Sequence, residues 1–204
     1  MQIHRLATTV ASISALAWCL DYYIVNHKSK VRYCNENAKD DLLGTFSQRN
    51  GEELRSIDHY RTTIDLKEHN NQQVAIEHFA NSFFTSPLLE FAFPNNNINT
   101  STQDIDKLKF NVGDSISIFK VIERRDNELI LRTPWGSLSW MKLMRNGNEI
   151  ELNFGSGLLK NEKLANMPLF GLGMRFHQLY SRYLLVFAKR NLMNKFIDGK
   201  VNKD

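Results

Sequence analysis

The stretch that determines the architecture we predict is residues 172–197, LGMRFHQLYSRYLLVFAKRNLMNKFI. Its apolar residues recur at steps of three and four, which is the spacing of one face of an α-helix. That face comprises Leu172, Phe176, Leu179, Tyr180, Tyr183, Leu184 and Phe187, and the other face carries Arg175, Gln178, Arg182 and Lys189. A helix with so many aromatic residues on one side needs a broad apolar surface to pack on.

Four strand-like runs upstream supply that surface. Residues 115–123, 128–133, 137–144 and 149–158 place apolar side chains largely at alternate positions, as half-buried strands do. Short turns separate the runs, and Asn146 followed by Gly147 is a strong signal for a two-residue hairpin with positive φ. Successive strands joined by tight turns form an antiparallel meander. We therefore predict an α+β fold in which a long C-terminal helix grips an antiparallel sheet.

The chain before the meander predicts one further strand and two helices. Residues 56–66 alternate threonine and isoleucine and predict the first strand. Residues 72–86 predict a helix that ends near Ser86, because Pro87 disfavours the α conformation in the residue before it. Residues 88–93 predict a second short helix, and the asparagine-rich residues 94–102 predict a loop. Residues 33–55 are polar and mixed, and we interpret them as a linker with room for a short helix.

The amino-acid composition, net charge and cysteine content limit the kinds of function that we expect. The chain has 204 residues, 42% of them hydrophobic and 24% charged, which fits one globular domain with appendages. Its net charge is only +4, and a solvated helix face and a basic tail at 198–204 account for the basic residues near the C-terminus. Cys19 and Cys34 do not form a disulfide framework or a zinc motif. We expect no nucleic-acid partner, no metal and no cofactor.

The N-terminal residues 1–32 contain an apolar run whose role the sequence leaves open. Residues 6–25 are long enough to cross a bilayer, so a membrane anchor is one interpretation, with the basic residues after it kept on the cytoplasmic or matrix side. A cleaved signal peptide or a mitochondrial presequence is the second, and an amphipathic core helix is the third. The expected location is therefore either membrane-associated, or organellar or secreted after cleavage.

Four segments resemble a known superfamily. They are SIDHYRTTIDL at 56–66, FFTSP at 83–87, VGDSISIFKVIERRDNELIL at 112–131 and RFHQLYSRYLLVFAKRNL at 175–192. Together they resemble the helix-grip domains of the START and polyketide-cyclase-like superfamily, and in particular an uncharacterised family within or near it. The resemblance covers about residues 56–197. The strand from Trp135 to Trp140 departs from the pattern, and the N-terminal segment and the asparagine tract are additions to it.

The resemblance implies an apolar cavity between the terminal helix and the sheet, as ligand pockets in general are apolar. The residues expected to line it are Phe119, Leu138, Trp140, Phe154, Phe176, Tyr180 and Tyr183. The preferred hypothesis is a protein that binds or carries a lipid or another hydrophobic small molecule. The same residues are also consistent with a filled core.

Two alternatives stay open. The first is a cyclase- or hydrolase-type enzyme that uses His177 as its acid or base, although no nucleophile elbow, phosphate loop or metal-ligand spacing accompanies that residue. The second is a membrane-tethered interaction scaffold. Asp58 and His59 are adjacent, but neighbours on a strand point to opposite faces, so we predict that they do not form a catalytic dyad.

Overall fold

A computed structural model of the chain describes residues 23–25, 29–34, 42–51, 54–66, 74–92, 105–159 and 170–197. Its strands are β1 (Arg32–Tyr33), β2 (Leu54–Asp65), β3 (Ser115–Ile116), β4 (Phe119–Arg125), β5 (Glu128–Arg132), β6 (Ser137–Asn146) and β7 (Glu149–Leu159). Its helices are α1 (Leu42–Asn50), α2 (Ile76–Phe84), α3 (Pro87–Ala92) and α4 (Phe170–Ile197). The predicted α+β class, with an antiparallel sheet and a long C-terminal helix, is confirmed.

The seven strands form one antiparallel sheet in the order β1-β2-β7-β6-β5-β4-β3. Strands β4 to β7 are the meander, since each pairs with the next along the chain. Strand β2 lies beside β7, with Tyr60 opposite Phe154, and Phe154 lies opposite Met141 of β6. The first long strand and the last strand are therefore neighbours in the sheet. Such a sheet with a C-terminal helix is compatible with a helix-grip fold.

One face of the sheet, which we call the inner face, packs against α2 and α4. Its apolar side chains and those of the two helices form the main core, which includes Ile64, Phe79, Val121, Met141, Leu152 and Leu185. Helix α2 ends at Phe84, and α3 begins at Pro87, where a proline suits the first helical turn. This layer of two helices on an apolar sheet face is what the period-two and period-3.6 patterns require.

The opposite face, which we call the outer face, carries a second, smaller core. Leu43 and Phe46 of α1 pack there against Ile130, Leu138 and Trp140. Helix α1 lies within residues 33–55, the segment interpreted above as a linker with room for a short helix. In the structure this helix covers part of the sheet, so the sheet has apolar cover on both faces.

The face that helix α4 turns to the core agrees only in part with the one predicted, since Leu184 is buried and Tyr180 and Tyr183 are partly buried there. Its buried apolar side chains are Leu184, Leu185, Ala188, Leu192 and Phe196, four of which recur every four residues. Of the predicted stripe, Phe176 is 65% exposed and Leu179 is 37% exposed. The C-terminal half of the helix determines which side is buried, because its regular aliphatic spacing fits the sheet and α2. The predicted face in the N-terminal half therefore points partly to solvent.

Most of the predicted targeting or anchor segment lies outside the described residues, as do the asparagine-rich residues 94–102 and the tail at 198–204. The short described pieces near the N-terminus do contact the fold, since Val25 and Val31 are buried in the main core. The Lys189 ammonium donates to the carbonyl oxygen of Ser29 at 3.2 Å and to the Thr62 hydroxyl at 3.3 Å. No helix within the described ranges combines the length and the hydropathy needed to cross a bilayer.

Candidate functional site

A row of polar side chains interrupts the apolar inner face near the N-terminal half of α4. The register places Asp58 on β2 opposite Ser156 on β7, and Ser156 opposite Ser139 on β6. Cross-strand partners share a face, so the three side chains lie on one side of the sheet. They are 1%, 7% and 9% exposed respectively. Two residues further along the strands, the equivalent row is Tyr60, Phe154 and Met141, which is the composition expected of a core.

His177 of α4 completes this cluster from above the sheet. Its Nε2 atom lies 2.6 Å from the Ser156 hydroxyl oxygen, 3.4 Å from the Ser181 hydroxyl oxygen and 3.7 Å from Oδ2 of Asp58. Ser181 is one helical turn further along α4 and is 1% exposed. The imidazole itself is 41% exposed. The cluster therefore extends from a buried carboxylate to a side chain that solvent reaches, and we call these residues, Asp58, Ser156, His177 and Ser181, the polar relay.

Hydrogen bonds from Ser156 hold the carboxylate of Asp58. The backbone N–H of Ser156 donates to Oδ1 of Asp58 at 3.0 Å, and the Ser156 hydroxyl donates to the same oxygen. A serine hydroxyl has one hydrogen to donate, so with that hydrogen on Asp58 the Nε2 atom of His177 is the donor toward Ser156. The other carboxylate oxygen, Oδ2, is buried and has no hydrogen-bond partner among the described residues. A buried carboxylate oxygen without a donor is costly, so its presence in the fold calls for an explanation.

This order of groups differs from a Ser-His-Asp triad. In a triad the imidazole lies between the serine and the carboxylate and takes the serine proton. Here Ser156 lies between His177 and Asp58, and its hydroxyl points to the carboxylate. The arrangement suits hydrogen bonding to a polar group or passage of a proton between His177 and Asp58 better than it suits attack by the serine oxygen.

Aromatic residues of α4 border the polar relay. The Tyr180 hydroxyl donates to the backbone oxygen of Leu88 at 3.3 Å, and burial raises the pKa of Tyr180 to about 12. Tyr180 and Tyr183 are partly buried against the main core, whereas Phe176 is mostly exposed. An apolar, aromatic surface therefore adjoins a polar cluster at the N-terminal half of the helix.

The residues predicted to line one cavity are divided among three places. Phe154 lies 4.7 Å from Phe83 and Phe119 lies 5.5 Å from Phe84, measured between ring centroids, and both belong to the main core with Tyr180 and Tyr183. Leu138 and Trp140 lie on the outer face under α1. Phe176 lies on the surface. The structure thus separates Leu138 and Trp140 from the side of the sheet that α4 covers.

His59 lies on the outer face, opposite to Asp58, as alternation along the strand predicts. Its Nε2 atom lies 2.9 Å from Oδ1 of Asn153, and its ring lies 4.9 Å from the Trp140 ring. Asp58 and His59 were predicted only not to form a dyad, and Ser156 was not predicted as a site residue. A signal was present, since Asp58 has the same parity along β2 as Tyr60 and Ile64. An acidic residue at a core-facing position of a strand is the pattern that identifies it.

A separate pocket of about 360 Å³ lies at the N-terminus of α2, away from the polar relay. It is lined by Ala75, Glu77, His78, Asn81, Asp106, Lys107, Leu108 and Lys109. Lys195 of α4 pairs with Asp106 at 2.6 Å at this end of the molecule. Its lining is polar and charged, so it does not correspond to the apolar cavity predicted from the sequence. Within the described ranges no group of acidic, histidine or cysteine side chains has the arrangement of a metal site.

Comparisons with known proteins leave the family open. No family model matches the sequence, and no curated protein matches it. The structure is similar to that of a conserved protein of unknown function from Enterococcus faecalis, at 9% sequence identity and a TM-score of 0.34. The similarity covers 82% of this chain and 99% of that one. A TM-score this low carries no conclusion about fold or function.

Proposed function

We propose that the protein binds a small, largely apolar molecule, such as a lipid, that carries a hydrogen-bonding group and lies between the N-terminal half of α4 and the sheet. The observation that carries the proposal is the polar relay, a buried carboxylate connected through Ser156 to the half-exposed His177. The relay adjoins the aromatic side chains of α4, so an apolar body and a polar group of one ligand have neighbouring partners. This assignment agrees with a helix-grip domain of the START and polyketide-cyclase-like type, the superfamily that the sequence resembles.

The carboxylate of Asp58 determines which kind of polar group the ligand can place at the polar relay. Oδ2 of Asp58 lacks a hydrogen-bond donor among the described residues, and Nε2 of His177 lies 3.7 Å from it. A hydroxyl or an amine donates a hydrogen bond to such an oxygen, whereas a ligand carboxylate is repelled by it. We therefore expect the ligand to be a hydrogen-bond donor, such as an alcohol or an amine with an apolar chain or ring system.

Native mass spectrometry of the full-length protein from its own host tests this proposal. We expect a copurifying molecule of lipid-like mass on the wild type and at least about tenfold weaker binding in Asp58→Asn, since the ligand then loses its charged acceptor and a hydrogen bond to a charged group corresponds to about 1.5–3 kcal/mol. Ser139→Ala is the matched control, because Ser139 lies on the same inner-face row but has no described bond to Asp58. A wild-type protein that carries no ligand and binds no apolar alcohol or amine would refute the proposal.

Acid–base catalysis at His177 is the second candidate function. It is favoured by the contact of 2.6 Å between His177 and Ser156 and by the bond from Ser156 to Asp58, which together give the imidazole a defined orientation. The test is a panel of cyclisation, dehydration and ester substrates, assayed with the wild type and His177→Ala. Binding alone returns the ligand chemically unchanged, and catalysis converts it. Equal conversion rates for the two proteins would eliminate the catalytic role.

A further inference from the structure

The exposed side of helix α4 has an unusual composition. The helix Phe170–Ile197 contains Arg175, Arg182, Lys189, Arg190 and Lys195 and has no aspartate or glutamate. A solvated helix face in a protein with 22 acidic residues and 26 basic ones ordinarily mixes both signs. With five basic residues and no acidic one, α4 carries the largest net positive charge among the described elements of the fold.

Not all of these basic side chains are available to a partner. Lys189 donates to Ser29 and Thr62 beneath the helix, and Lys195 pairs with Asp106. Burial and the nearby Lys30 lower the pKa of Lys189. Arg175 and Arg190 are exposed and make no ion pair within the described part of the chain. These two arginines are the outward charges of the helix.

Large apolar side chains lie between and beyond these arginines. Phe176 is 65% exposed, Leu179 37%, Met193 40% and Ile197 71%. Arg175 and Met193 are about five helical turns apart, as are Leu179 and Ile197, so each pair points in the same direction from the helix axis. We call these six residues, Arg175, Phe176, Leu179, Arg190, Met193 and Ile197, the outer stripe. It spans about 33 Å of helix.

We propose that the outer stripe docks on an anionic membrane surface, with its apolar side chains in the interface and its arginines at the lipid headgroups. A helix that lies in the plane of a bilayer combines exposed apolar side chains with basic ones, which is the composition of the stripe. Long basic side chains reach the headgroups while their stems stay with the apolar region. Anionic lipid supplies the negative charge that the helix itself lacks.

The proposal is independent of the proposed ligand. The polar relay lies on the sheet side of α4, whereas the outer stripe lies on the solvent side. The contact would nevertheless place the His177 end of the helix near a source of apolar molecules. A variant of the outer stripe can therefore lose membrane binding and keep its ligand, and a variant of the polar relay can lose its ligand and keep membrane binding.

The test measures the partition of the full-length protein onto vesicles of phosphatidylcholine, with and without 30 mol% phosphatidylserine. We compare the wild type with Arg175→Gln/Arg190→Gln. The control is Lys109→Gln/Lys120→Gln, which removes two exposed charges elsewhere. One basic residue near an anionic surface contributes about 1 kcal/mol, so two correspond to about a 30-fold change. We expect that loss for the arginine variant on anionic vesicles, less than about a 3-fold loss for the control, and equal binding of all three proteins to neutral vesicles.

The N-terminal residues 6–25 are present in every variant, so their contribution to partition cancels. Leu179→Ser/Ile197→Ser tests the apolar part, and we expect it to lower binding to anionic vesicles by at least about 10-fold. Equal partition of the arginine variant and its control would overturn the proposal. A wild type that dimerises in solution, and a Leu179→Ser/Ile197→Ser variant that does not, would overturn it in favour of a second copy of the chain.

Discussion

Ser156→Ala is the substitution for which the structure gives the clearest expectation. The Ser156 hydroxyl donates to a carboxylate that is only 1% exposed, so water does not replace the lost donor. A hydrogen bond to a charged group contributes about 1.5–3 kcal/mol. The backbone N–H of Ser156 remains bonded to the same oxygen at 3.0 Å, which keeps the loss near the middle of that range. We expect the free energy of unfolding to fall by about 2 kcal/mol, or the melting temperature by about 4–8 °C.

Urea unfolding followed by circular dichroism measures this loss, with an unchanged m-value as the sign that the unfolded state is unaffected. Ser139→Ala is the matched control, because Ser139 is the cross-strand partner of Ser156 and is similarly buried but has no described bond to Asp58. We expect it to cost less than about 1 kcal/mol. In an Asp58→Asn background, Ser156→Ala should also cost less than about 1.5 kcal/mol, since the acceptor is then neutral. Equal losses for Ser156→Ala and Ser139→Ala would refute the assignment of a charged Asp58 held by Ser156.

Three further substitutions test the fold around the relay. In Gly155→Ala the new Cβ would meet the Asp58 carbonyl oxygen at 2.9 Å and the Trp140 ring at 3.1 Å, so we expect a loss of about 1–3 kcal/mol in urea unfolding. A loss under about 0.5 kcal/mol would contradict this packing. Burial raises the pKa of Tyr180 to about 12, so folding favours its neutral hydroxyl and stability should fall as the pH rises from about 10 through 12. Tyr180→Phe should flatten that part of the melting temperature curve, and an unchanged slope would show that Tyr180 is not the group that titrates. Leu43→Ala should cost about 2–5 kcal/mol because Leu43 is fully buried on the outer face, and a loss under about 1 kcal/mol would show that α1 does not cover it.

The strands of the meander were predictable because local signals specify them. A short apolar run identifies β5 and partial alternation identifies β6, and the turn residues between them separate the two strands at the observed place. The run at 115–123 proved to be two strands, β3 and β4, with Ser117 at positive φ between them. The Asn146–Gly147 signal also shifted by one residue, since β6 includes Asn146 and the loop residues are Gly147 and Asn148. Local patterns thus locate hairpins well and their exact register less well.

Which face of the sheet each helix covers was not predictable in the same way. Leu138 and Trp140 share a parity, and Met141 and Leu143 share the other, so the sequence divides them correctly between two faces. Both sets are apolar, however, and nothing local indicates which set meets α4. That depends on the long-range pairing of β2 with β7 and on the position of α1, a helix with weak apolar spacing. The assignment of Leu138 and Trp140 to a cavity under α4 rested on this undetermined choice.

The position of the polar relay depends on the register in which β2 pairs with β7. Asp58 faces inward only because Tyr60 opposes Phe154, and a slip of one residue would move the carboxylate to the outer face. Gly155 helps to hold that register, because its missing side chain leaves room for Trp140 on one side and for the backbone of Asp58 nearby. The adjacent inward row shows that apolar side chains fit this face, and replacing a buried charge by such side chains is often neutral or stabilising. A buried acidic residue kept in register at such a position, with one oxygen lacking a donor among the described residues, is not explained by stability alone. It is this feature that supports the proposed role in binding at the end of α4 where His177 is half exposed.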